Sequence, residues 1–235
     1  MFGTLTLPYQ YDSERNRIRI RGFKGGSLYR RETGSVEITK RIYSSKAKIW
    51  LSPVKPFNCP KMITSNLMIE LKRTLVVPPG ESKKIYLRFP VEIGVIVTRS
   101  GKERVIDVFT DNPPKYSMYG DIKEGVMCRY YSSDVHVGPP RTNPLEEGLM
   151  EVRVRNSTND WREVSMLVFD GLLMKIFFSD RLISAKARAT IIDDEKVEIK
   201  FSSKPLKEDQ SRAFEMLNSS TFKRMLTKFT MEGGY

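Results

Sequence analysis

Apolar and polar residues alternate along most of this chain with a period of two, the period of a β-strand whose side chains point to opposite faces by turns. The sharpest case is Arg15, Arg17, Arg19 and Arg21, with Ile18 and Ile20 between them. One face of such a strand carries guanidinium groups and the other turns isoleucines toward a core. Segments that alternate in this way or are rich in β-branched residues, separated by Gly and Pro, predict strands over residues 4–8, 17–21, 35–42, 46–51, 67–77, 84–89, 91–98 and 105–110. The same pattern returns over 125–137, 149–155, 162–169, 172–178, 182–192 and 196–201. Pro79-Gly80 supplies the two central residues of a type II turn, Arg99-Ser100-Gly101-Lys102 joins a hairpin, and Gly22, Gly25 and Gly26 suggest a hairpin or a bulged turn.

The period changes near residue 204. Leu206, Ala213, Phe214 and Leu217 recur at helical spacing, with Ser203 able to cap and Pro205 tolerated in the first turn. Phe222, Met225, Leu226 and Phe229 define a second short amphipathic helix after the break at Asn218-Ser219-Ser220. The expected architecture is mainly β, with two β-sandwich-like (immunoglobulin-like) modules and a C-terminal helical segment. A proline-rich stretch over 111–148 places the module boundary at 138–148. It gives a basic N-terminal β domain (1–138), a second β module (139–203) and amphipathic helices (204–235) packed on the β domain.

Composition agrees with a globular protein: 235 residues, 40% hydrophobic and 29% charged, can bury a core without disulfide support. The longest apolar stretch, 165–178, is interrupted by Asp170 and Lys175, so no transmembrane segment is expected. The start lacks a basic region and a long apolar run, which argues against a secretory signal and for a cytoplasmic address. Glutamine occurs only at Gln10 and Gln210 while Lys, Arg and Glu abound, a bias resembling heat-adapted proteins.

The net charge of +12 changes the picture more, because it is concentrated. Residues 1–60 carry a balance of +8 and the remaining 175 residues only +4. Such a field attracts nucleic acid or an anionic membrane surface, although excess charge is also an ordinary solubility device. The candidate polyanion-binding residues are Arg15, Arg17, Arg19, Arg21, Lys24, Arg30 and Arg31, with cross-strand neutralisation by Glu32 and Glu37 as the competing reading. A second candidate is a groove at the tyrosine-rich connection, built from Tyr116, Tyr119, Arg129, Tyr130 and Tyr131; the alternative is a loop packed over the end of a sandwich.

Catalytic signatures are missing. Gly101-Lys102 is followed by Glu103 where a phosphate loop needs a hydroxyl, and no nucleophile elbow, paired zinc histidines or calcium loop occurs. The single histidine, His136, shares a strand face with Asp134, a pairing that suits either a general base or a structural imidazole. Cys59 and Cys128 form no metal spacing and read as buried or half-buried thiols. Asp193-Asp194-Glu195 reads as a solvated turn. No catalytic residue, metal or cofactor is therefore expected. The chain reads as a non-enzymatic binding or scaffolding module, whose partner is nucleic acid, an anionic surface or another protein. The alternative is a carboxylate-based glycoside- or phosphoester-active enzyme at the tyrosine-rich loop, since such sites leave no short motif.

Tyr119-Gly120, Gly125-Val126-Met127-Cys128-Arg129-Tyr130 and Ser132-Ser133, together with Phe2-Gly3 and the turn at Asn156, resemble an archaeal domain-of-unknown-function family, number 432. The resemblance implies an archaeal cytoplasmic protein without an assigned activity, so it transfers no functional residue.

Overall fold

A computed structural model describes residues 2–59, 63–121, 124–193 and 196–216. The chain is mainly β, and none of these residues is helical. The strands are β1 (Gly3–Thr4), β2 (Tyr9–Asp12), β3 (Arg17–Phe23), β4 (Gly26–Thr33), β5 (Val36–Ile42) and β6 (Lys48–Val54). There follow β7 (Asn66–Val77), β8 (Ser82–Pro90), β9 (Glu92–Arg99), β10 (Lys102–Phe109), β11 (Lys115–Tyr119) and β12 (Val126–Ser133). The last are β13 (Glu147–Asn156), β14 (Arg162–Asp170), β15 (Phe177–Ser179), β16 (Leu182–Ile191), β17 (Val197–Phe201) and β18 (Ser211–Arg212).

They form four sheets, ordered β1-β6-β9-β10, β2-β3-β4-β5, β11-β12-β7-β14 and β18-β15-β16-β13-β8, with β17 added to β16. The alternation that marks β3 does set its faces: Ile18 and Ile20 are fully buried while Arg17 and Arg21 are exposed. Ser100 and Gly101, both at positive φ (50° and 74°), close the β9–β10 hairpin with the twist that such a two-residue turn requires. Gly80, at φ 71°, fits the expected turn between β7 and β8, yet those strands do not pair. The turn instead carries the chain from the third sheet to the fourth, whose inner faces meet at Phe169 and Phe201, 5.9 Å apart.

Polar contacts tie the second sheet to the first. Tyr29 donates to Asp107 (2.5 Å), and Arg31 grips the same carboxylate through Nε (2.6 Å) and a terminal nitrogen (3.2 Å). Asn16 donates to the Thr110 carbonyl (3.0 Å) and to Asp111 (2.6 Å).

The boundary expected at 138–148 falls between β12 and β13, but sheets run across it. β8 pairs β13 over nine residues and β7 pairs β14, so strands on either side complete the same two sheets. One buried cluster also extends from Ile18 to Ala213. The first expected C-terminal helix is absent from the described residues. Gln210 explains why: its side-chain oxygen accepts the backbone N–H groups of Leu206 and Lys207 and the Ser184 hydroxyl, and Ala213 N–H goes to the Ile176 carbonyl. The N–H groups of Lys207 and Ala213, which a helix capped at Ser203 would bond four residues back, are taken instead by a turn and a sheet edge. Phe214 still packs, edge-on against Trp50. The second expected helix, at Phe222, Met225, Leu226 and Phe229, lies outside the described residues.

Candidate functional site

Register fixes which side chains share a face. In the second sheet Arg17 lies opposite Asp12 and Glu32, and Arg19 opposite Gln10 and Arg30; Arg30 and Glu32 in turn face Thr39 and Glu37 on β5. The arginine row is therefore laced with carboxylates. Arg19 holds Asp12 with two nitrogens (2.9 and 3.0 Å), and Arg17 reaches Asp12 (3.4 Å) and Glu32 (3.5 Å). Arg30 reaches Glu32 (3.0 Å) and Glu37 (2.9 Å). Arg31 is on the other face, buried against Asp107. Arg15, Arg21 and Lys24 are exposed, and among the described residues none has a carboxylate within ion-pair distance.

The tyrosine-rich connection is itself a pair of strands, β11 and β12, and its candidate residues diverge. Arg129 is almost completely buried, bonded to Glu92 and to the Pro56 carbonyl (2.7 Å). Tyr130 donates to Glu70 and Tyr131 to Glu147. Tyr130's hydroxyl is pushed up by the Glu70 carboxylate, and Tyr131's by burial and by Glu147. Tyr116 lies opposite Arg129 across the strand pair, and Tyr119 ends β11. The five side chains do not line one groove.

His136 bonds through its backbone to Tyr86 on the edge of β8 (2.8 and 3.1 Å), while Asp134 pairs with Lys72 (3.3 Å). The two cysteines are separate: Cys59 donates to the Val108 carbonyl (3.2 Å), and Cys128 is fully buried. Burial pushes the Cys59 thiol up to about 12 and the Cys128 thiol up to about 11. Because the thiolate is the reactive species, a maleimide at pH 8 should label the native protein far more slowly than the urea-unfolded chain. Equal rates in the two states, followed by mass spectrometry, would contradict the buried placement of Cys128 and the half-buried placement of Cys59.

A different face carries a row of exposed cations, two of which have no ion pair among the described residues. On the fourth sheet Lys84 of β8 lies opposite Arg153 of β13, Arg153 opposite Arg188 of β16, and Arg188 opposite Lys200 of β17. Four strands thus align four cations in one row about 14 Å long, at roughly 4.8 Å per strand. All four are exposed. Arg155 and Lys186 flank the row on the same face, because they lie two residues from Arg153 and Arg188. The opposite face is apolar and buried, with Ile85, Val152, Val154, Ala187 and Ala189.

Three carboxylates occupy this face: Glu147, at the start of β13, pairs with Arg88 (3.4 Å) and accepts the Tyr131 hydroxyl. Glu198 pairs with Lys200 (2.8 Å), both partners well exposed, and Glu151 accepts the Tyr86 hydroxyl (3.2 Å). Arg153 and Arg188 have no ion pair among the described residues. Lys84 lies over the Tyr86 ring, 5.7 Å from its centre. A shallow cavity of about 370 Å³ sits among Arg153, Lys186, Arg188 and Lys200. A larger one of about 890 Å³ adjoins it, with Glu151 lining both.

In the sequence Glu151, Arg153 and Arg155 mark a charged outer strand face, and nothing local joins them to Arg188 and Lys200. The alternation Lys186, Arg188 within Ala185, Ala187 and Ala189 was a usable signal; what it lacked was the parallel pairing of β13 with β16. Among the described residues no group of three or more acidic, histidine or cysteine side chains is placed to hold a metal, and no helix is long and apolar enough to cross a membrane.

Neither a curated protein nor a solved structure matches this chain. A family model described as "Protein of unknown function (DUF432)" matches residues 1–232. The chain therefore belongs to the domain-of-unknown-function family 432.

Proposed function

We propose that this protein is a non-enzymatic binding module for nucleic acid, and that its phosphate-contacting surface is the open face of the β8-β13-β16-β17 sheet. The observation that carries the reading is the row Lys84–Arg153–Arg188–Lys200. Like charges directly opposite one another on a sheet destabilise it. A row that repeats that contact three times on a single face is better suited to an external anion than to the fold. Guanidinium and ammonium groups spaced along a flat face meet phosphates through charge-assisted bonds and do not read base edges, so binding is expected to be indifferent to sequence. The scaffold beneath, which we read as stacked sheets of sandwich type, keeps the row rigid.

Arg15, Arg21, Lys24 and the exposed Arg41 add to the positive field without forming a comparable row, and in this reading they steer the ligand. The test is fluorescence anisotropy with labelled single- and double-stranded oligonucleotides across a salt series. With four to six phosphates neutralised, log K against log salt should fall with a slope of about −3 to −4 for single strands. That slope corresponds to a loss on the order of a hundredfold between 50 and 200 mM salt. Absence of binding at 50 mM salt, or binding only to anionic vesicles, would sink the nucleic-acid reading.

A further inference from the structure

The second sheet ends on a strand with a free edge. β5 pairs β4 along its whole length in unbroken register, and no strand among the described residues pairs its other side. Two residues, Gly34 (φ 55°) and Ser35, close the hairpin between them. Thr33 and Val36 therefore exchange both backbone bonds, and bonded and non-bonded pairs alternate from there. Val36, Ile38, Lys40 and Ile42 turn their N–H and C=O groups toward β4. Glu37, Thr39 and Arg41 turn theirs outward, a row of unpaired donors and acceptors along the strand.

An unpaired edge is a template for another strand. The other long edges are blunted: β10 and β14 carry register breaks, and the open side of β8 is bridged by His136. β11 and β17 have only five residues each, and Glu198 and Lys200 of β17 already pair with each other.

We infer that β5 pairs antiparallel with β5 of a second copy of this chain, about a twofold axis through Thr39, joining two four-stranded sheets into one. The strand is complementary to itself in this register. The outward backbone groups of Glu37, Thr39 and Arg41 meet those of Arg41, Thr39 and Glu37 of the second copy. On the outer face Glu37 falls opposite Arg41 twice, once on each side of the axis, an arrangement that stabilises a sheet. Arg41 is exposed and has no ion pair among the described residues. Glu37, held by Arg30 at 2.9 Å, keeps half of its side chain exposed for a second cation. Val36, 56% exposed, falls opposite Ile42. Axes through Glu37, Lys40 or Arg41 would set like charges against each other, and one through Ile38 would leave Glu37 and Arg41 without opposite charges. A single strand pair buries less than a standard interface, so the dimer is reversible, with a dissociation constant in the micromolar range.

The experiment is sedimentation equilibrium of the whole chain at low salt, from low to high micromolar concentration. The mass should rise from that of one chain to that of two. Thr39→Pro removes an outward N–H without touching the ladder to β4, and should give a folded monomer. Glu37→Arg and Arg41→Glu, each alone, set like charges opposite one another on both sides of the axis and should weaken association by about tenfold. Mixing these two variants restores both opposite-charge pairs, so they should form a mixed dimer, and the double variant should dimerise with itself. Melting curves check that each variant is folded, and the charge variants carry the test if the proline variant is not. A chain that stays monomeric at the highest concentration overturns the inference, and leaves the edge to a foreign strand or to solvent. A dimer that survives Thr39→Pro, or single variants that fail to associate on mixing, overturns it as well.

Discussion

Replacing Arg153 and Arg188 together by glutamate is expected to reduce single-strand binding on the order of a hundredfold at low salt without lowering the melting temperature. Each phosphate-contacting cation removed should lower the salt slope by about 1, uniformly across sequences, and the introduced carboxylates add repulsion. The stability side separates this from simple damage. Arg153 and Arg188 are exposed ends of residues whose neighbours Val152, Val154, Ala187 and Ala189 hold the core. In the parent row three contacts join like charges, each of them unfavourable. Reversal leaves the central contact like-charged and turns the two outer ones, to Lys84 and Lys200, attractive. Binding should collapse while thermal unfolding stays level or improves, a combination typical of a surface kept for a ligand at some cost to the fold. If affinity changes by less than twofold, the row is a solvated sheet face and the binding proposal fails. The parallel reversal of Arg17 and Arg19 is expected to cost far less binding, since Asp12 and Glu32 already occupy those guanidiniums.

The difference between these two surfaces marks how far the sequence was legible. Period-two patterning found most strands and correctly assigned the faces of β3, because Ile18 and Ile20 alternate with charge on one strand. It could not say what lies across from Arg17 and Arg19, since cross-strand partners are set by register over long sequence separations. The chain places carboxylates beside the visible arginine row and cations beside the less visible one at Arg153. β4 was missed as a strand because Gly26 and the charged run Arg30-Arg31-Glu32 resemble a loop, although Tyr29 and Arg31 point inward onto Asp107. β11 was read as a connection for its prolines, Pro113 and Pro114, which in fact precede the strand. Asn156 was legible as a turn signal, and its amide does organise that turn, donating to the Val77 and Asp160 carbonyls (2.9 and 2.7 Å). The helical period of Leu206, Ala213 and Phe214 misled for a specific reason: a single side chain, Gln210, captured two backbone donors and turned the segment.

A larger stability effect should come from a residue that the sequence offered as a ligand contact. Arg129→Met is expected to destabilise the protein by about 3–5 kcal/mol, because it leaves Glu92 as an uncompensated charge in the core. Glu92 and Arg129 are 0% and 1% exposed, and the pair bridges β9 of the first sheet to β12 of the third. The arrangement also clasps the chain between them. Glu92 accepts the backbone N–H groups of Asn58 (2.7 Å) and Cys59 (3.2 Å), while Arg129 donates to the Pro56 carbonyl (2.7 Å). Removing the guanidinium strands one carboxylate and one carbonyl, and in a chain of this size the melting temperature should fall by roughly 10 °C. Adding Glu92→Gln should recover part of the loss, since no charge remains buried; the amide oxygen keeps only one of the Asn58 and Cys59 donors, which the carboxylate accepts on separate oxygens. Urea unfolding of the two single variants and the double gives the coupling directly. A single-variant cost below about 1 kcal/mol, or additive losses, would mean that water reaches the pair and that it does not join the sheets. Oligonucleotide affinity should be unchanged in whichever of these variants remains folded, because Arg129 lies on β12, outside the sheet that presents Arg153 and Arg188.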